Sequence, residues 1–249
     1  MEKVFDQPHA LLINEKRKDF MNRFVPELVR STGAVTALDA GCGVGHFTDF
    51  LSGMFGEDCV EGFDFREENV AEARKRHPEG RYSVLDIEQA DRHAELEKKF
   101  DMALCIGLLY HLENPFKAIR NLAWLTKKFL IIESVVTPLK LPSAVLIQEG
   151  EGIDQAPNYL AMRPSELFLI TTLYAAGFSY VYQLEALPDH VDFKGRLERP
   201  KKRLFLVASH VELFHPLLKV AKARLVRNTD VAYRKFLYVI RPLYKFFRK

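Results

Sequence analysis

Two periods alternate along this chain. Runs of apolar, often β-branched residues give way to i, i+3, i+4 spacing and back again, which predicts strands alternating with helices. Over residues 11–29 the points Leu12, Phe20, Phe24, Leu28 and Val29 predict a helix, ended by Ser31-Thr32-Gly33. Val35-Thr36-Ala37-Leu38 then predicts a buried strand, and Phe47, Phe50, Leu51 and Met54 predict the helix after it. The theme recurs: a strand over 59–64 and a helix over 66–76, a strand over 81–85, a strand over 100–106 and a helix over 115–126, a strand over 129–134. The run Phe129-Leu130-Ile131-Ile132 is wholly apolar, as a parallel strand covered on both faces should be. This order predicts an α/β protein built on a doubly wound, mostly parallel sheet of seven strands.

Beyond residue 134 the pattern loosens. Residues 135–162 hold Pro138, Pro142, Gly150, Gly152 and Pro157 beside Glu149, Glu151, Asp154 and Gln155. So long an irregular segment between elements is usually functional or mobile, and it reads as a substrate lid. Residues 163–176 predict a helix ended by Gly177, and 178–184 with 203–209 predict a hairpin-like pair that supplies an antiparallel last strand. Apolar stripes at helical spacing follow in 214–227 (Phe214, Leu217, Leu218, Ala221, Leu225) and in 229–248 (Tyr233, Phe236, Leu237, Ile240, Tyr244, Phe247), the second interrupted by Pro242. The chain thus divides into an N-terminal helical cap (1–34), a central domain (35–210) with 135–162 as a lid-like insertion, and a basic amphipathic helical tail (211–249).

With 249 residues and 48% hydrophobic content, the central domain has material for a substantial core. The net charge of +3 hides an asymmetry: residues 211–249 hold ten Lys and Arg against Glu212 and Asp230, a surplus of eight, so residues 1–210 carry −5. Such a tail fits a membrane surface, an acidic partner, or packing against the chain's own core or a second copy; nucleic acid ranks behind these. Glu2, Lys3, Asp6 and Gln7 interrupt any apolar run at the start, and no apolar stretch reaches membrane-spanning length. The three cysteines, Cys42, Cys59 and Cys105, are too few for a disulfide framework. The expectation is a cytoplasmic protein, at most peripheral at a membrane.

Chemistry concentrates where the first strand ends. Asp39-Ala40-Gly41-Cys42-Gly43-Val44-Gly45 sets glycines at alternate positions between strand and helix, where a tight turn brings backbone against a ligand. A dinucleotide-binding turn wants glycine at position 46, where His46 stands, and a P-loop wants a following Lys, which is missing. Asp39 suits a cationic ligand group better than a pyrophosphate. The next two strands also end in acids, as Asp64-Phe65 and Asp86-Ile87. Asp64 falls where a carboxylate can accept from both hydroxyls of a ribose, and it fits equally as an acid at a helix N-terminus.

Asp39-x-Gly41-x-Gly43-x-Gly45 resembles motif I of the class I S-adenosylmethionine (SAM)-dependent methyltransferases. The stretch Gly107-Leu108-Leu109-Tyr110-His111-Leu112-Glu113-Asn114-Pro115 resembles motif IV of members acting on small molecules, and the equivalent stretch of the bacterial tRNA-wobble-uridine carboxymethyltransferases. The [DN]-P-P-[YFW] of enzymes that methylate amino groups of DNA bases or protein glutamine is absent. The resemblance covers about residues 35–209 and is carried mainly by 35–133. It implies SAM as cofactor, with its methionyl end in the glycine turn, its ribose on Asp64 and its adenine between Phe65, Asp86 and Ile87. Cys105, on the fourth strand, joins the implied cofactor-binding set, and the N-terminal helix covers the site with Arg17 a candidate for the SAM carboxylate.

His111 follows the fourth strand at the sheet edge where the transferred methyl should point. A histidine with an unperturbed pKa of about 6.5 suits a general base, with Tyr110 beside it; a structural role for His111 is the alternative. His9, His77, His93, His190, His210 and His215 are scattered without a ligand motif, so no metal is expected, and His46 reads as a helix-start residue over the methionyl end of the site. The reading is methyl transfer to a small-molecule acceptor, most plausibly at a hydroxyl oxygen. The runners-up are tRNA modification by methyl or carboxymethyl transfer, and a SAM-binding partner or scaffold protein without turnover.

Overall fold

The computed structural model describes residues 4–92, 100–150, 156, 159–194 and 202–223. Strands β1 (Ala37–Ala40), β2 (Val60–Asp64), β3 (Arg81–Val84), β4 (Phe100–Ile106), β5 (Thr126–Val136), β8 (Tyr180–Leu184), β9 (Lys202–Ser209) and β10 (Leu218–Val220) form one sheet in the order β10-β8-β9-β5-β4-β1-β2-β3. β1 is parallel to both β2 and β4, so the strand order reverses at β1, the place where open α/β sheets bind ligands. β9 runs antiparallel between β5 and β8, the reversed strand the sequence predicts.

The alternation of side chains explains why this sheet is covered on both faces. In β4, Ala103 and Cys105 point to one core with Leu130, Ile132, Leu204 and Leu206. Met102, Leu104 and Ile106 point to the other with Phe129, Ile131, Phe205 and Val207. The first face is closed by α5 (Pro115–Leu125) and α6 (Glu166–Ala175). The second is closed by α1 (Pro8–Met21), α2 (Val25–Thr32) and α3 (His46–Phe55), through Phe20, Met21, Phe24, Leu28, Phe47 and Leu51. α4 (Glu67–Arg76) packs Val70 and Ala73 against Cys42 and Tyr82.

Four expectations are corrected. The single helix over 11–29 is two, because Pro26 stands at the first turn of a new helix, where its missing N–H costs nothing. The strand expected from Val35 begins at Ala37; Val35 is 64% exposed, and its N–H donates to Asp101 Oδ2 at 2.9 Å. The irregular 135–162 insertion contains an antiparallel hairpin, β6 (Ala144–Gln148) with β7 (Leu160–Pro164), tied down by Met162 N–H donating to Leu112 O at 2.8 Å. The sheet has eight strands rather than seven: within 214–227, where a helix is expected, Leu218–Val220 pairs antiparallel with β8, Leu218 opposite Leu184. A short apolar run reads equally as either element until a sheet edge claims it. The second stripe, 229–248, and with it the tail's membrane or self-association role, lies outside the described residues. Among those described, no helix is long and apolar enough to cross a membrane.

Candidate active site

The C-terminal ends of β1, β2 and β3 carry Asp39, Asp64 and the Leu85-Asp86 pair side by side, as the sequence predicts. Between β1 and α3 the chain turns through Gly41, Gly43 and Gly45 at φ of 76°, 54° and 91°. Gly43 is needed twice over: its φ is left-handed, and a Cβ there would lie 2.8 Å from the ring of Phe5. Phe5 belongs to a 3-10 turn, Val4–Asp6, anchored by a two-pronged ion pair of Asp6 with Arg76 at 2.8 Å. The N-terminal segment therefore covers the glycine turn.

Asp39 is fully buried and accepts from Thr48 Oγ1 at 2.7 Å. Burial pushes its carboxyl up to about 7, against the opposing pull of the Thr48 hydrogen bond. Asp64 accepts from Gly43 N–H (3.0 Å), Arg66 N–H (2.9 Å) and Asn69 Nδ2 (3.0 Å), so it braces the glycine turn from the neighbouring strand. A carboxylate has about four acceptor positions, which leaves room for a further donor. Asp86 accepts from Glu88 N–H and the Gln89 side chain, both at 2.9 Å. Ile87 is buried, and its carbonyl accepts from Asn121 Nδ2 at 2.6 Å, while Phe65 is 49% exposed. Cys105 stands apart: it is fully buried in the core beneath α5 and α6, and burial raises its thiol. His46, at the start of α3, is held below its ordinary pKa by burial and by Lys18.

A second group assembles at the ends of β4 and β5. Glu133, 0% exposed, accepts from Arg17 Nη2 at 2.8 Å and from Arg203 Nη1 at 3.1 Å. Arg203 Nη2 donates to the Tyr110 hydroxyl at 3.0 Å, and its guanidinium lies 5.2 Å from the centre of that ring. Burial lowers Arg17 in spite of Glu133, whereas Tyr110 and Glu133 outweigh burial at Arg203 and raise it. Arg17 spends a donor on Glu133, and Nη1 on Asn14 at 2.8 Å. Glu133 and Arg203 escape the sequence reading, because an acid and a base 70 residues apart look like strand-end charges until β5 and β9 pair.

His111 lies on the 3-10 turn Leu109–His111, its ring 4.1 Å from that of Tyr110. Its Nδ1–H donates to Glu149 at 2.6 Å. Glu149, just past β6 and nearly buried, also accepts from Ala156 N–H at 2.9 Å. The acceptor-only carboxylate fixes the proton on Nδ1 and leaves the Nε2 lone pair available. The hairpin found in place of an irregular lid thus orients the candidate base, and Glu149 is a residue that sequence reasoning placed only in the lid. Two histidines that look scattered also meet: His9, His190 and Asp192 hold ligand atoms within 4.8 Å of one another. Arg203 Nε stands 3.7 Å from Asp192, a neighbour that works against a cation there.

The comparisons with known proteins agree with this geometry. Residues 37–128 match the family model of the methyltransferase domain. This is the class I SAM-dependent methyltransferase fold. Among solved structures, the methyltransferase fold of this chain is similar to the N-terminal domain of EvdMO1 with SAH bound, with a TM-score of 0.60 and 20% identity over 82% of this chain and 84% of that one. It is also similar to magnesium protoporphyrin IX methyltransferase from Synechocystis PCC 6803 with bound SAM, with a TM-score of 0.56 and 20% identity over 84% of this chain and 88% of that one. A curated relative, trans-aconitate 2-methyltransferase of Sinorhizobium medicae (strain WSM419), is 22% identical over 181 residues, 73% of this chain and 62% of that protein. The chain spans 22%, 51% and 62% of the lengths of the three curated relatives it matches.

Proposed function

We propose that this chain is a SAM-dependent methyltransferase that moves a methyl group to a hydroxyl oxygen of a small molecule. The observation that carries the reading is the order of carboxylates: Asp39, Asp64 and Asp86 end three adjacent strands beside a turn of three left-handed glycines. The residues present fit the cofactor. Asp39 is a buried carboxyl that a cationic group would ionise, Asp64 keeps an acceptor position for a ribose hydroxyl, and exposed Phe65 with Asp86 and Ile87 suits an adenine. SAM supplies a methyl group already activated by its positive sulfur.

The chain's own residues then do the rest. Phe5 packs over the glycine turn at Gly43 and shields it from water. His111 Nε2 takes the proton of the attacking hydroxyl, and Glu149 stabilises the imidazolium that forms. Holding hydroxyl and methyl in line removes several kcal/mol of entropic barrier, and the strand-end loops provide that alignment. Calorimetry with SAM, S-adenosylhomocysteine (SAH) and NAD tests the binding; labelled SAM with a metabolite extract tests turnover. Preference for NAD would sink the reading. Tight SAH binding with no label transferred to any acceptor would favour a SAM-binding partner protein, and label in RNA would favour tRNA modification.

A further inference from the structure

We propose that Arg17, Arg203 and Tyr110 form a subsite for a carboxylate carried by the acceptor, which makes the acceptor a small hydroxy acid. The proposal rests on the methyltransferase reading and adds the chemical class of the substrate. Hydrogen-bond accounting carries it. Arg17 is 7% exposed, and its Nε, shielded from solvent, has no partner. The Tyr110 hydroxyl accepts from Arg203, and its own hydrogen finds no acceptor among the described residues. Native interiors rarely leave buried N–H groups unanswered, so this surplus of donors calls for an acceptor-only ligand.

Arg17 and Tyr110 meet beside the turn at Gly107. A Cβ built on Gly107 would sit in ordinary contact with Arg17 Nη2 and the Tyr110 hydroxyl, 3.8 Å from each, and 4.0 Å from Glu133 Oε2, so these polar atoms converge on one face of the turn. Glu133 locks both guanidinium groups, and Asp192 stands 3.7 Å from Arg203 Nε, so the forks are set before a ligand arrives. Glu133 and Asp192 already offset the two guanidinium charges, so a single carboxylate is held by the hydrogen-bond donors, and the second charge of a dianion such as phosphate is repelled. Tyr110 and His111 are ring neighbours at 4.1 Å, so a hydroxyl a few bonds from the anchored carboxylate comes within reach of the base.

The test is a titration of full-length protein saturated with SAH, using acetate and glycolate against acetamide and glycolamide at matched ionic strength, read by thermal melting. The carboxylates should raise the melting temperature and the amides should not. Tyr110→Phe, which leaves no buried charge unpaired, should weaken glycolate severalfold, and Arg203→Met about tenfold, each keeping its SAH affinity. Labelled SAM should then mark hydroxy acids in preference to their amides. Equal response to amides, or an unchanged glycolate midpoint in both variants, overturns the proposal. It is also overturned if the variants weaken SAH but not 5′-methylthioadenosine, which has no carboxylate, because the arginines then serve the donor. Failure of SAH itself to bind would strike the methyltransferase reading, and the same carboxylate titration on the free chain would still decide the subsite.

Discussion

The β1–β3 edge and the β4–β5 edge of this sheet are built in opposite ways. At the first, Asp39, Asp64 and Asp86 bond to Thr48, Gly43, Arg66, Asn69, Glu88 and Gln89, partners close in sequence or on the next strand. At the second, Arg17 and Glu133 are 116 residues apart, Tyr110 and Arg203 are 93 apart, and His111 and Glu149 are 38 apart. The first edge is a cradle that the chain makes locally, suited to a cofactor. The second exists only when the N-terminal helix, β4, β5, the hairpin and β9 are all in place. Its charges are therefore tied to the stability of the whole domain, and the first edge's mainly to ligand affinity.

The comparison breaks first at Glu133. Replacing it with Ala strands two buried guanidiniums, and removal of one partner from a buried ion pair costs about 3–5 kcal/mol. Urea unfolding should show that loss, while Asp86→Ala, whose partners are local and partly exposed, should stay within about 1 kcal/mol. Equal losses would mean that the two edges are not energetically distinct.

Next comes His111. His111→Ala should lower turnover by about a hundredfold or more, with SAH affinity nearly unchanged, because a base acts in the transition state and not on the cofactor. Glu149→Gln should give a smaller loss in the same direction, by weakening the hold on the Nδ1 proton. Normal turnover in His111→Ala would return this residue to a structural role.

The contrast between the edges also explains what the sequence could and could not disclose. A glycine turn after a strand, and an acid at each of three strand ends, are local patterns, so Asp39, Gly41, Gly43, Gly45, Asp64 and Asp86 are legible without coordinates. Arg17 is legible only as a charge on a helix, and the side chain it meets is not. Glu133 ends an apolar run and Arg203 begins one; nothing in either run says that an antiparallel register sets Val135 opposite Arg203. Glu149 is hidden in a segment whose prolines and glycines mask a hairpin. Leu218 and Val220 fail for a different reason: their spacing serves a helix or an edge strand, and the free edge of β8 decides.

A third test stays at the cofactor edge. Asp64→Ala removes the carboxylate proposed to accept from a ribose and also frees the Gly43 N–H that shapes the turn. SAH affinity should fall by about tenfold or more, as for loss of a charge-assisted hydrogen bond, while urea stability moves far less than in Glu133→Ala. A variant that binds SAH normally would detach Asp64 from the cofactor.

The smallest effect is expected at Asp39, and it has two opposite signs. Burial holds this carboxyl at about 7, well above the value of about 3.9 in an unfolded chain. The folded, ligand-free chain favours the neutral acid, so the stability Asp39 contributes is complete below pH about 4 and is lost as pH rises through about 7. A cationic group on the ligand, which in SAH is the α-ammonium, reverses the preference, since it favours the ionised form. SAH affinity should therefore rise severalfold from pH 6 to pH 8 and level off once Asp39 is ionised without help. Asp39→Asn removes the titrating group and should flatten both curves, while His111→Ala should leave both slopes in place. Thermal melts with and without SAH across pH 5–8 would show the ligand-induced shift growing with pH. A constant shift would mean that Asp39 does not sense the ligand, and the cradle would then bind through its backbone and Asp64 alone.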